Sequence, residues 1–147
     1  KALSSFGAYA VIDGTMKDYL VNRMRPLIFT TALPPAVVRW TRHTVSTMTG
    51  MGAARRHLAE LSDRLRRRLA EAGLATGGNS QIVPILAGAN ETAAALAARL
   101  REEGFLTFPI RPPTVPPGTA RLRLSLTADL AWDDIGRLPV IIEEALQ

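Results

Sequence analysis

Arg121-Leu122-Arg123-Leu124-Ser125-Leu126-Thr127 alternates leucine with a charged or hydroxyl-bearing residue at every step. Only an extended strand turns that alternation into one apolar and one polar face. Leu122, Leu124 and Leu126 are predicted core, with Arg121, Arg123 and Ser125 facing away. Working outward, Phe105 to Ile110 reads as a second strand, and Gln81 to Leu86 as a third after the Gly77-Gly78-Asn79 loop. Between them Asn90 is expected to cap an alanine-rich helix ending at Gly104. Beyond them a helix over Trp132 to Leu146 is amphipathic but interrupted by Gly136 and Pro139. Residues 75 to 147 therefore predict a compact α+β domain with antiparallel-type strands.

The first half of the chain reads differently. Leu58, Leu61, Leu65 and Leu69 recur at three- and four-residue spacing among Arg55, Arg56, Arg64, Arg66, Arg67 and Arg68, which marks a helix with a buried stripe and a charged outer face. This helical region is predicted from about residue 36, after Pro34-Pro35, to Gly73, with a weak point at Gly50 and Gly52. Before it, Phe6 to Ile12 reads as a short strand ended by Asp13-Gly14. Thr15, with Asp18 three residues on, is expected to cap a helix through Met24 that Pro26 closes. Leu27 to Thr31 is expected to be extended. One strand, one helix and an extended passage cannot close a core. Residues 1–35 are thus expected to be the tail of a larger domain, 36–74 a long connecting helix region, and 75–147 the small α+β domain.

Composition narrows the chemistry. At 147 residues the chain can bury a core, and no apolar run approaches the roughly 20 residues that cross a bilayer. No membrane association is expected, and the cytoplasm is the default location. The absence of cysteine excludes disulfides and thiolate chemistry, and His43 and His57 lack the spaced partners of a metal site, so no metal is expected. The net charge of +5 is concentrated on the arginine-rich helix, where a solvated face is the plain reading. Aromatics for base stacking are sparse, and no nucleic-acid partner is expected.

Four groups could carry chemistry. A deprotonated lysine ε-amine condenses with an aldehyde, although composition alone reads Lys1 as a solvated lysine. Arg123, on the polar face of a strand, can grip a carboxylate with two parallel hydrogen bonds or stand as an ordinary surface charge. Arg111-Pro112-Pro113-Thr114-Val115-Pro116-Pro117-Gly118 could be a polyproline ligand, but strands on both sides favour a rigid loop that holds Thr114 in place. Thr30 and Thr31, between prolines, can meet a phosphate or simply be β-branched strand residues.

Lys1-Ala2-Leu3-Ser4-Ser5-Phe6-Gly7-Ala8-Tyr9, Asn22-Arg23-Met24-Arg25-Pro26, Thr30-Thr31-Ala32-Leu33-Pro34-Pro35 and Arg111-Pro112-Pro113-Thr114-Val115-Pro116 resemble, in order and approximate spacing, the α-oxoamine synthase family of pyridoxal-phosphate enzymes. Ser4 stands where the family usually has glycine. The resemblance implies fold type I: the C-terminal small domain plus the tail of the large α/β domain, starting at the cofactor lysine. It implies that upstream elements hold most of the cofactor, so the 147 residues alone are expected to be inactive.

By the same resemblance, Lys1 would bind pyridoxal 5'-phosphate and act as general base. Thr31, with Thr30, would reach the cofactor phosphate across a homodimer interface, Thr114 would contact substrate, and Arg123, the second arginine of Ala120-Arg121-Leu122-Arg123, would hold the amino-acid carboxylate. Arg121 would be a solvated neighbour. Within the family the proline loop and Gly118 to Leu124 most resemble members that join L-alanine to a pimeloyl thioester carried by coenzyme A or acyl carrier protein. Sister enzymes using glycine or serine are the alternative, and a non-catalytic basic α+β binding module is the reading from a different class.

Overall fold

A computed structural model describes residues 3–146. The chain divides into two compact units, Lys1–Gly52 and Ala53–Gln147. In the first, helices α1 (Gly14–Arg23), α2 (Arg25–Ile28) and α3 (Pro35–Thr49) follow an irregular segment. Helix α4 (Gly52–Glu71) starts at the boundary, and the predicted weak point is a break at Gly50 and Met51. The second unit continues with β1 (Ile82–Gly88), α5 (Asn90–Glu102), β2 (Phe108–Ile110), β3 (Ala120–Ser125), α6 (Trp132–Ile135) and α7 (Leu138–Leu146).

The expected α+β layer is present in the second unit. Its sheet has the order β1-β3-β2, both pairings antiparallel, with β3 in the centre. The alternation of β3 is realised: Leu122, Leu124 and Leu126 are buried, Arg123 and Ser125 exposed. Val83 and Ile85 of β1 join that buried face, and α4 closes over it with Leu61, Leu65 and Leu69, α5 with Leu96 and Leu100, and α7 with Leu138 and Ile142. Helices thus cover one face of the sheet. Trp132 joins the edge of this core beneath the Arg64 guanidinium, 3.9 Å from its ring, and His57 Nε2–H donates to the Leu130 carbonyl at 2.8 Å.

Several boundaries depart from the sequence reading, each for a local reason. The β-favouring run over residues 6–12 forms no strand, because no described residue supplies the ladder partner that extended backbone needs. The cap of α1 is Asp13 and not Thr15: its carboxylate accepts the Met16 N–H at 2.8 Å. Residues 27 and 28 are helical and not extended, since Pro26 sits in the first turn of α2, where its missing N–H costs nothing. Asn90 is the first residue of α5 and not its cap; Ala89 holds the cap position without a side-chain bond. The second strand starts at Phe108 and not at Phe105, because the preceding helix end consumes Phe105. Its N–H returns to the Leu100 carbonyl at 2.8 Å while Gly104, at φ +86°, donates to Arg101 at 3.0 Å. The final helix does split at Gly136.

No side chain among residues 3–52 is fully buried, and Phe6, Tyr9, Val11 and Phe29 are more than half exposed. The hydrophobic core belongs to the second unit. Leu122→Ala, at its centre, should lower the unfolding free energy by about 2–5 kcal/mol, whereas Val140→Ala, at a site 52% exposed, should change it by no more than about 0.5 kcal/mol. Urea midpoints of the two variants check this, and equal effects would misplace the core.

Candidate active site

The buried leucines of β3 force its intervening residues onto the uncovered face of the sheet. There Arg123 lies opposite Pro84 of β1 and Phe108 of β2, and Arg121 opposite Leu86 and Ile110. Phe108 is 56% exposed and Leu86 40%, so Arg123 is a cation set among apolar side chains. Its guanidinium is exposed and makes no hydrogen bond or ion pair among the described residues, which leaves its planar fork available. Arg121 departs from the expected solvated neighbour: it is half-buried, and its Nε–H donates to the Thr119 carbonyl at 3.0 Å.

Between β2 and β3 runs the proline loop. Pro112, Pro113, Thr114, Val115, Pro116 and Pro117 line a shallow, open concavity of about 640 Å³. Thr114 is exposed, with its amide bonded to the Arg111 carbonyl at 3.0 Å. The loop is an intradomain element flanked by paired strands. Thr114 and Arg123 share the second unit.

Lys1 lies outside the described residues, but the segment after it is tethered within the first unit. Trp40 Nε1–H donates to the Leu3 carbonyl at 2.9 Å, and the hydroxyls of Ser5 and Thr41 are 3.3 Å apart. Ser4 has φ +49°, the left-handed conformation that favours glycine. Leu3, Phe6, Gly7, Tyr9, Leu33 and Val45 are among the residues around an apolar concavity of about 710 Å³. Sequence reading missed Trp40 and Thr41 as anchors; the signal was an indole on a helix with polar residues around it, since indole N–H groups usually find a partner. Thr30 and Thr31 are exposed in the bend after α2, and neither hydroxyl has a partner among the described residues.

The arginine-rich face of α4 is largely engaged in local bonds. Arg66 donates to the carbonyls of Gly77 and Ser80 and pairs with Asp63, and Arg68 pairs with Glu71. The Arg68–Glu71 pair is that of a solvated helix surface, whereas the Arg66 side chain is only 12% exposed and ties α4 to the loop that follows it. No helix among the described residues is long and apolar enough to cross a membrane.

The family model for aminotransferase class I and II matches residues 1–138. The chain belongs to that family. Within the aminotransferase class I and II family it is similar to α-oxoamine synthases. It is 53% identical over 138 residues to the 8-amino-7-oxononanoate synthase of Chlorobaculum parvum, covering 94% of this chain and 35% of that protein. Among solved structures it resembles the 8-amino-7-oxononanoate synthase of Francisella tularensis, with a TM-score of 0.82, 25% identity, and coverage of 98% of this chain and 42% of the other. A serine palmitoyltransferase structure holding pyridoxal phosphate gives a TM-score of 0.84 at 26% identity, over 99% of this chain and 37% of the other. The chain spans about a third of the length of the curated relatives it matches. The mixed helix and sheet arrangement is that of fold-type I enzymes, and family and structural relatives alike indicate pyridoxal phosphate as the cofactor.

Proposed function

We propose that these residues serve a pyridoxal-phosphate-dependent C-acyltransferase that condenses L-alanine with a pimeloyl thioester to give 8-amino-7-oxononanoate, carbon dioxide and the free thiol carrier, a step of biotin biosynthesis. The observation that carries the reading is Arg123, an unpaired guanidinium facing Pro84 and Phe108 on the strand that the proline loop leads into, in a chain similar to enzymes of that name. A carboxylate is the ligand that a planar, unpaired fork meets best.

This chain's donor set fits an aldehyde-bearing phosphate. Lys1 offers a primary amine, and the Thr30 and Thr31 hydroxyls have no partner among the described residues. When bound, pyridoxal phosphate supplies an electron sink for charge developing at the amino-acid α-carbon. Lys1 would hold the cofactor through its ε-amine, and that amine, once released, would take the α-proton as general base. Arg123 would fix the alanine carboxylate so that the α-hydrogen is presented to the base. Thr114 would contact the substrate from the loop. Thr31, supported by Thr30, would bind the cofactor phosphate of a partner subunit in a cytoplasmic homodimer.

A sister activity is the second reading, favoured by the likeness to serine palmitoyltransferase. Offering L-alanine, glycine and L-serine to the whole protein with pimeloyl and longer-chain thioesters separates them: carbon dioxide release dependent on alanine and pimeloyl supports the proposal, and preference for serine or glycine overturns it. Arg123→Lys keeps the charge but loses the fork. A charged hydrogen bond contributes about 1.5–3 kcal/mol, so kcat/KM for the amino acid should fall about 10- to 150-fold. The KM for the thioester should move little, and Arg101→Lys on the exposed side of α5 should change neither. Equal, small effects of both substitutions would leave Arg123 a surface charge.

A further inference from the structure

Four prolines at 112, 113, 116 and 117 fix φ along the loop but remove four backbone donors. The loop therefore needs its anchoring from elsewhere, and Thr119 supplies it. The Thr119 amide and hydroxyl both donate to the Pro116 carbonyl, at 3.2 and 2.7 Å. Pro117 and Gly118 occupy the two central positions of that turn, and Gly118 has φ +75°. This is the type II arrangement, with proline first and a left-handed glycine second. The Thr119 carbonyl in turn accepts from Arg121 Nε–H at 3.0 Å, and Arg121 is paired across to Ile110, the last residue before the loop leaves β2. One residue thus ties the far end of the loop to the strand that carries Arg123.

The wall so held has a definite chemistry. Prolines, one valine and one threonine line it, with no charge to balance an ammonium or a carboxylate. Such a surface can desolvate methylenes. Resting on the α-oxoamine synthase reading above, we propose that Thr119 is a positioning residue for the acyl substrate, holding Pro112–Pro117 as an apolar wall against the acyl chain while Arg123 serves the amino acid. Arg121 acts through Thr119 and not on a substrate carboxylate.

The test uses Thr119→Val, which keeps the shape and removes the hydroxyl donor, and Thr119→Ser, which keeps the donor, both in the whole protein with pyridoxal phosphate bound. One net hydrogen bond corresponds to about a 2- to 12-fold change. Thr119→Val should raise the KM for the acyl thioester by that factor, leave kcat and the amino-acid KM within about twofold, and speed amide exchange at Thr114 and at position 119. Thr119→Ser should restore all of these. If Thr119→Val does not fold, Arg121→Lys, which misplaces the Nε donor, should give the same selective rise. An unmoved thioester KM, an equal rise in the amino-acid KM, or no rescue by serine overturns the positioning role. Absence of any condensation by the unsubstituted protein overturns the functional reading, and the acyl role falls with it; turnover with an unmoved thioester KM overturns the positioning role alone.

Discussion

Burial of alternate leucines on the central strand is the interaction on which the second unit depends. Leu122 and Leu124 lie against helices on one side, and because side chains alternate along a strand, Arg121 and Arg123 are committed to the other. A register slip of one residue would drive two guanidinium groups into the core, at a cost of several kcal/mol each. The packing that stabilises the sheet therefore also fixes where a cation is presented. Pro84 and Phe108 face Arg123 from the neighbouring strands, and the guanidinium between them is exposed, so its planar fork stays open to a ligand.

The first unit obeys a different rule. Its helices are locally well specified, with Asp13 capping α1 and Pro35 opening α3, yet no side chain among residues 3–52 is fully buried. From Leu3 onward the described residues carry polar tethers, Trp40 to the Leu3 carbonyl and Ser5 to Thr41, and Gly7 approaches Leu33 so closely that an added Cβ would come within 2.9 Å of the leucine side chain.

Much of this was legible in the sequence where a period or a cap spoke for itself. The β3 alternation, the leucine stripe of α4 and the interruption at Gly136 all appear as read, because each depends on a few adjacent residues. Misreadings arose where two local signals competed. Asp13 served as a cap though Asp13-Gly14 resembles a turn, and Phe105 was taken by the helix end though it looks like the start of a strand. The run over residues 6–12 has strand propensity that no described neighbour answers. In the candidate site, Arg123 and the proline loop stood out by alternation and composition. The closure of that loop by Thr119 and Arg121 did not, since a hydroxyl returning to a carbonyl three residues back leaves no periodic trace.

The central claim is that Lys1 carries the cofactor, and borohydride reduction of the whole protein with pyridoxal phosphate, followed by peptide mapping, tests it most directly. Reduction should leave the pyridoxyl group on Lys1 and leave Lys17, the other lysine of this chain, unmodified. Label on Lys17, or on a lysine elsewhere in the protein with Lys1 unmodified, would contradict it.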